Sequence, residues 1–374
     1  MSRSDLNDLI RFRLHAHGLL GHGSLGAPAQ TIESVARHML AVQAQDLGQA
    51  GWALGVRTGG ASAAEVSTAF ASGSVVRSWP MRGTLHIVPA PQLNWMLALT
   101  TPRMLARTAA RRRQLEIDEA TLGRACEVAN RVLAGGRSMP RAGFMAALER
   151  AGIATTGQRG YHFIYHLAQT GTLVWGPPAG NQQALVLSDE WIKTHEQLDP
   201  DEALAAFLTG YLSGHGPATL ADFAWWSGLT MAQAKLARAV ASTALVETEL
   251  AGTRYLMTAE RADAAPPLPA SHVRALPGFD EYFLGYKDRK VVIDPAFESR
   301  IVPGGNGVFK PTIISRGRVI GTWHRAEASG TRAGSVQLVA EPFTAMTQRE
   351  ESAFRAAAKR YGRYSAPSSS TAMA

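Results

Sequence analysis

Cysteine is almost missing from this 374-residue chain, Cys126 being the only one. A lone thiol excludes an internal disulfide framework and fits a reducing cytoplasm. Its apolar helical surroundings make Cys126 a buried structural thiol rather than a nucleophile. No apolar run is long enough to cross a bilayer, and Met1-Ser-Arg-Ser-Asp-Leu6 has no apolar signal core. A cytoplasmic protein without membrane contact is expected. Metal-site signatures are lacking too. His162 and His166 stand four apart on a predicted helix, with no Glu placed as in His-Glu-x-x-His and no third ligand. They read as neighbours on one helix face. Pro303-Gly-Gly-Asn-Gly307 lacks the lysine and the following helix of a phosphate loop and reads as a turn. No metal and no cofactor are expected.

Acidic residues are absent from Pro102 to Gln114, and what is there is basic. Arg103, Arg107 and Arg111 fall four apart, with Arg112 and Arg113 beside them. On a helix they form one stripe of like charges that repel unless phosphates meet them, so the stripe reads as a phosphate contact or, alternatively, as a solvated face. Net charge is +8 and the pI about 9.9, a balance that permits polyanion binding. Hydrophobic residues at 46% describe an ordinary globular protein, and the length suits two to four modules.

The periodicities predict an α+β, mostly helical chain of tandem winged-helix units followed by a small C-terminal antiparallel β-barrel. Unit one covers 1–115. It has helices over Asp5–His17, Ile32–Val42, Gln49–Val56 and Ala63–Ala71, then strands Val75–Trp79 and Thr84–Val88, then the Arg-rich helix. Unit two, 116–196, has helix Arg141–Arg150, a helix capped by Thr155 or Thr156 and running through Leu167, and a hairpin of Thr172–Trp175 with Ala184–Leu187. Unit three, 197–262, reads as helix-turn-helix. Thr219 caps a helix to Trp226, Ser227-Gly-Leu229 turns, and Thr230 caps a helix through Val240. Its hairpin, Ala244–Met257, carries Glu247 and Glu249, the wrong sign for DNA, so this unit reads as a brace. After an Ala/Pro-rich boundary at Ala262–Ser271, the barrel is expected over 263–345. Its strands are Val291–Ile293, Thr312–Ile314, Val319–Trp323 and Val336–Val339, with Ser315-Arg-Gly-Arg318 as a tight turn. A helix at 346–364 and a disordered tail at 365–374 complete the chain.

Met39-Leu-Ala-Val-Gln-Ala-Gln-Asp46, followed by Val76-Arg-Ser-Trp-Pro-Met-Arg-Gly-Thr-Leu-His-Ile-Val88, resembles the tandem winged-helix family of AlkZ-like DNA glycosylases. Gln158-Arg-Gly-Tyr161, His215-Gly-Pro-Ala-Thr219, Trp225-Trp-Ser-Gly228, Leu276-Pro-Gly-Phe-Asp-Glu-Tyr282, Asp288-Arg289 and Gly317-Arg-Val-Ile-Gly-Thr-Trp323 extend the likeness over nearly the whole chain. The resemblance implies cleavage of the N-glycosidic bond of alkylated purines, with some members unhooking bulky adducts or interstrand crosslinks. It also implies a catalytic pair at Gln43 and Gln45, with the small Ala44 between them leaving the pocket's size open.

The chemistry of that pair is readable from the residues. Two amides two apart share a face only if the backbone is extended there. They then orient a water beneath an alkylated nucleotide whose cationic base already leaves readily. Asp46 is the alternative carboxylate and otherwise an N-cap; His86 is a possible auxiliary and otherwise a structural histidine. Trp79 and Met81 are expected to wedge beside a base or to be core, and Arg82 to touch phosphate. Lys287, Arg289 and Lys290 form a basic loop that reads as a further phosphate contact, alongside Arg103, Arg107, Arg111 and Arg112. Phe279-Asp280-Glu281 reads as a barrel anchor. The expected partner is double-stranded DNA carrying alkylated bases, bound by a monomer. The rival reading is a non-catalytic winged-helix transcriptional regulator, a dimer on a palindrome.

Overall fold

A computed structural model describes residues 3–21, 31–180, 182–250, 252–262, 267–305, 307–327 and 336–366. The Ser-rich tail and residues 263–266 of the Ala/Pro-rich boundary lie outside the described residues. The fold is α+β and about half helical, and its three sheets are antiparallel.

The strands are β1 (Val42–Gln43), β2 (Val75–Met81), β3 (Thr84–Pro89), β4 (Met139–Pro140), β5 (Leu173–Ala179), β6 (Gln182–Leu187), β7 (Leu245–Leu250), β8 (Thr253–Thr258), β9 (Val273–Leu276), β10 (Thr312–Ser315), β11 (Arg318–Glu327) and β12 (Val336–Pro342). Six of them join in the order β1-β3-β2-β5-β6-β4. This sheet fuses the first two hairpins, because β2 meets β5 at Arg77 opposite Trp175.

Helix starts are legible in their caps. Ser62 accepts from the Glu65 N–H while Glu65 reaches back, and Thr219 with Asp222 and Thr230 with Gln233 do the same. Each such cap contributes about 1 kcal/mol. The helices Ala63–Ala71, Arg141–Arg150 and Met231–Val240 coincide with their expected spans. The helix expected from Thr155 or Thr156 begins instead at Arg159, after Gln158 turns with φ 75°. The acidic third hairpin is a two-stranded sheet of β7 and β8, with Leu256 also bridging Ala218, and Glu247 is taken up by Arg238.

The C-terminal strands depart from expectation. They order as β12-β11-β10-β9, and among the described residues no β9–β12 pairing closes them, so the expected barrel is an open four-stranded sheet. Val291–Ile293 is a turn rather than a strand; its buried side chains fill the core beneath the sheet. The strand that the sequence pattern misses, β9, pairs with β10. The closing helix, Gln348–Ser365, packs Tyr361 and Tyr364 on Trp52 at centroid distances of 5.1 and 5.0 Å. One hydrophobic core therefore contains both the N-terminal helices and the C-terminal sheet.

Candidate active site

The helix Ile32–Met39 stops three residues before its expected end. Leu40 takes φ 63° and its side chain is buried. A leucine in that region is strained by about 1–3 kcal/mol, and the surrounding packing holds it there. The turn throws Val42 and Gln43 into strand geometry opposite Ile87 and His86, and the Ala44 N–H donates to the Leu85 carbonyl at 2.7 Å. Strand geometry ends at Gln43; Ala44 is buried, and the chain bends at Gln45 and Asp46 before the next helix begins, so the extended run expected across both glutamines covers only the first. Gln45 is exposed. Gln43 is 8% exposed, yet neither atom of its carboxamide is sealed from solvent. Among the described residues neither carboxamide has a hydrogen-bond partner, so both are free to bind something else.

The main chain between them is gripped on both sides. Arg77 donates through Nε to the Ala44 carbonyl at 2.8 Å and through Nη2 to the Gln45 carbonyl at 3.3 Å. Its remaining amine reaches the Gln183 side chain at 3.4 Å, on the second hairpin. Burial presses the Arg77 guanidinium down to about 10, while the Asp46 charge opposes the shift. Asp46 caps the helix Leu47–Gly55, accepting from the Gln49 N–H at 3.0 Å. From the other edge, Glu281 accepts the Gln43 N–H at 2.8 Å.

Glu281 is wholly buried beside Trp226, whose indole N–H donates to it at 2.8 Å, and His215, whose Nε2 lies 3.4 Å away. Burial alone raises a carboxyl group. The hydrogen bond and charge of His215, with the Arg82 charge behind them, outweigh it and hold Glu281 at about 2. Asp280, next door, is clamped by Arg57 through two 2.8 Å bonds in a fully buried pair. Phe279-Asp280-Glu281 thus ties the C-terminal region to the Gln43 strand instead of anchoring a barrel.

His86 sits across from Gln43 on β3 and from Ser78 on β2. It is fully buried and gives Nδ1–H to the Thr84 carbonyl at 2.8 Å, leaving Nε2 to accept from Arg82 at 3.4 Å. Burial, and then the Arg82 charge, drive it down to about 4. It is a neutral imidazole at physiological pH.

Trp79 and Met81 are corrected from base wedges to core. Trp79 packs edge-on against Tyr165 and Trp175, and Met81, past an irregularity in the strand pairing, is enclosed in a separate hydrophobic cluster. Arg82 turns back from the hairpin tip at φ 56° and lies 5.0 Å over the Trp225 ring. Arg289 lies 5.4 Å over the same ring and donates to the Phe283 carbonyl. Lys287 and Lys290 are exposed beside it. The helix Leu93–Gln114 carries the arginine stripe. Arg103 donates to the Gly228 carbonyl, Arg111 to Gln158, and Arg112 to the Leu105 carbonyl and the Thr108 hydroxyl. Arg107 is exposed and, among the described residues, has neither a hydrogen bond nor an ion pair. His162 and His166 belong to no cluster of metal-binding groups among the described residues. No described helix is long and apolar enough to cross a membrane.

A family model described as DNA glycosylase AlkZ-like matches residues 36–364. The chain belongs to that family. The glycosylase is 27% identical over 317 residues to the interstrand DNA cross-link repair glycosylase of Streptomyces sahachiroi, covering 77% of this chain and 81% of that one. Its fold matches the solved Streptomyces sahachiroi DNA glycosylase AlkZ with a TM-score of 0.77, over 96% of each chain at 23% identity.

Sequence reasoning had no role for Arg77 and assigned Glu281 elsewhere. The signal for Arg77 was a charged residue inside an otherwise apolar strand. For Glu281 it was paired acids in a motif whose Asp is the helix cap, leaving the Glu unexplained.

Proposed function

We propose that this glycosylase hydrolyses the N-glycosidic bond of alkylated purines in double-stranded DNA, with Gln43 and Gln45 orienting the attacking water. The observation that carries the reading is the pair of unpartnered carboxamides on a main chain fixed by Arg77 and Glu281. A carboxamide cannot take a proton as a carboxylate does, which suits a cationic base that departs easily. The C1′–N bond breaks with its electron pair passing to the cationic base, which leaves neutral; water adds to C1′ and loses its proton to solvent, and the carbonyl dipoles of the two amides favour the oxocarbenium charge. No lysine amine is called on, so the product is an abasic site and the enzyme is monofunctional.

Tandem winged-helix units, working as a monomer in the cytoplasm on chromosomal DNA, would lay the duplex along the basic helix. Arg103, Arg107, Arg111 and Arg112 would meet phosphate there, with Lys287, Arg289, Lys290 and Arg82 as further phosphate contacts. The name of the Streptomyces relative extends the proposed substrate range to interstrand crosslinks.

The test is base release from duplexes carrying N7-methylguanine or a defined crosslink. Wild type should release the base, and Gln45→Ala should lose at least a hundredfold in single-turnover rate with binding intact. Sequence-selective binding with no release from any lesion would hand the protein to the regulator reading.

A further inference from the structure

β1 is the outer strand of its sheet. An outer strand leaves alternate N–H groups without a ladder partner, and burial makes such a donor costly. The Gln43 N–H is one of these, and its acceptor is Oε1 of Glu281, 238 residues further along the chain, at 2.8 Å. A backbone carbonyl would serve the same donor. The fold supplies a fully buried side-chain carboxylate instead, and then locks it. Trp226 occupies its other oxygen at 2.8 Å, and His215 lies against the same oxygen. The His215 Nδ1–H is itself fixed on the Tyr211 carbonyl at 3.0 Å. Asp280 caps the short helix Glu281–Leu284 and is pinned by Arg57. At Gly285 a Cβ would come within 2.4 Å of the His215 ring, so only glycine lets the imidazole come this close.

We propose that Glu281 is a positioning residue for base excision, setting the register and direction of the Gln43 main chain so that its carboxamide faces the reacting sugar. This rests on the reading of Gln43 and Gln45 as the water-orienting pair. Glu281 acts through Gln43 and does not touch DNA. A charge-assisted bond to an ionised acceptor is shorter and stiffer than a neutral one, and small losses of alignment are heavily penalised in a reaction that depends on placing water.

Glu281→Gln retains an oxygen for the Gln43 N–H but sets an NH2 group against the Trp226 N–H. The experiment combines single-turnover release of N7-methylguanine, DNA affinity, melting temperature and the Gln43 amide proton resonance of the full chain. The expected result is a rate at least tenfold lower, an upfield shift of the Gln43 amide proton, and affinity within about twofold of wild type. Glu281→Gln with Trp226→Phe removes the donor–donor conflict and should recover part of the rate; a merely structural lesion would be deepened by it. If Glu281→Gln alone fails to fold, this double variant takes its place and should fall between wild type and Gln43→Ala. A rate within twofold of wild type despite the shifted amide overturns the proposal, as does a loss that only tracks melting temperature. Gln43→Ala and Gln45→Ala run alongside separate the two claims. Full activity in both would sink the glutamine pair itself, whereas their inactivity with an active Glu281→Gln sinks only the role of Glu281.

Discussion

Arg77 shows how much of this site is held by side chains aimed at carbonyls. Its fork spans Ala44 and Gln45, a geometry that a single ammonium cannot reproduce. Arg77→Lys should therefore lower single-turnover excision about tenfold while leaving the salt dependence of DNA binding unchanged, since no phosphate contact is lost. A wild-type rate in that variant would show the clasp to be dispensable. Trp79 makes the opposite prediction. Enclosed among Tyr165 and Trp175, Trp79→Ala should cost about 3–5 kcal/mol in unfolding free energy, read by denaturant titration, with little change in the DNA affinity of the folded fraction. Weakened binding at undiminished stability would restore it as a wedge.

At the scale of elements, the arginine-bearing helix divides its labour. Arg103 and Arg112 are spent partly on protein carbonyls, whereas Arg107 stands exposed among the described residues. Arg107→Ala should reduce the slope of log affinity against log salt by about one and leave the excision rate at saturating DNA unaltered. An unchanged slope would place the duplex elsewhere. This helix, the capped helices and the hairpins were legible because their signals are local: 3.6-residue spacing, Ser or Thr three before Glu, Asp or Gln, and glycine at the turn. The end of the helix at Leu40 was not, because nothing in Met39-Leu40-Ala41 breaks a helix; the register that Val42 and Gln43 find against β3 does. The C-terminal sheet was misjudged for a related reason. Val291–Ile293 has strand composition but serves as packing, and closure of a barrel is a property of distant pairings that no window of residues reports.

For the whole molecule, buried imidazoles set the response to acid. His38, His86 and His272 are each pushed down to about 4, first by burial and then by Arg261, Arg82 and Arg274 respectively. His17 is lowered as well, again chiefly by burial. Their folded values lie below the ordinary 6.5, so the unfolded chain binds more protons between pH 6.5 and 4. Stability is thus fully present above about pH 6.5 and drains as pH falls toward 4, by up to about 3 kcal/mol per ring. Melting temperature should fall steadily from pH 7 to 5, and a flat profile would contradict this burial. The bond between Gln43 and Glu281 has a consequence for the order of events during synthesis. The ribosome makes the Gln43 strand early and its acceptor only after three-quarters of the message has been read. A nascent or prematurely terminated polypeptide therefore emerges with the Gln43 N–H lacking this acceptor.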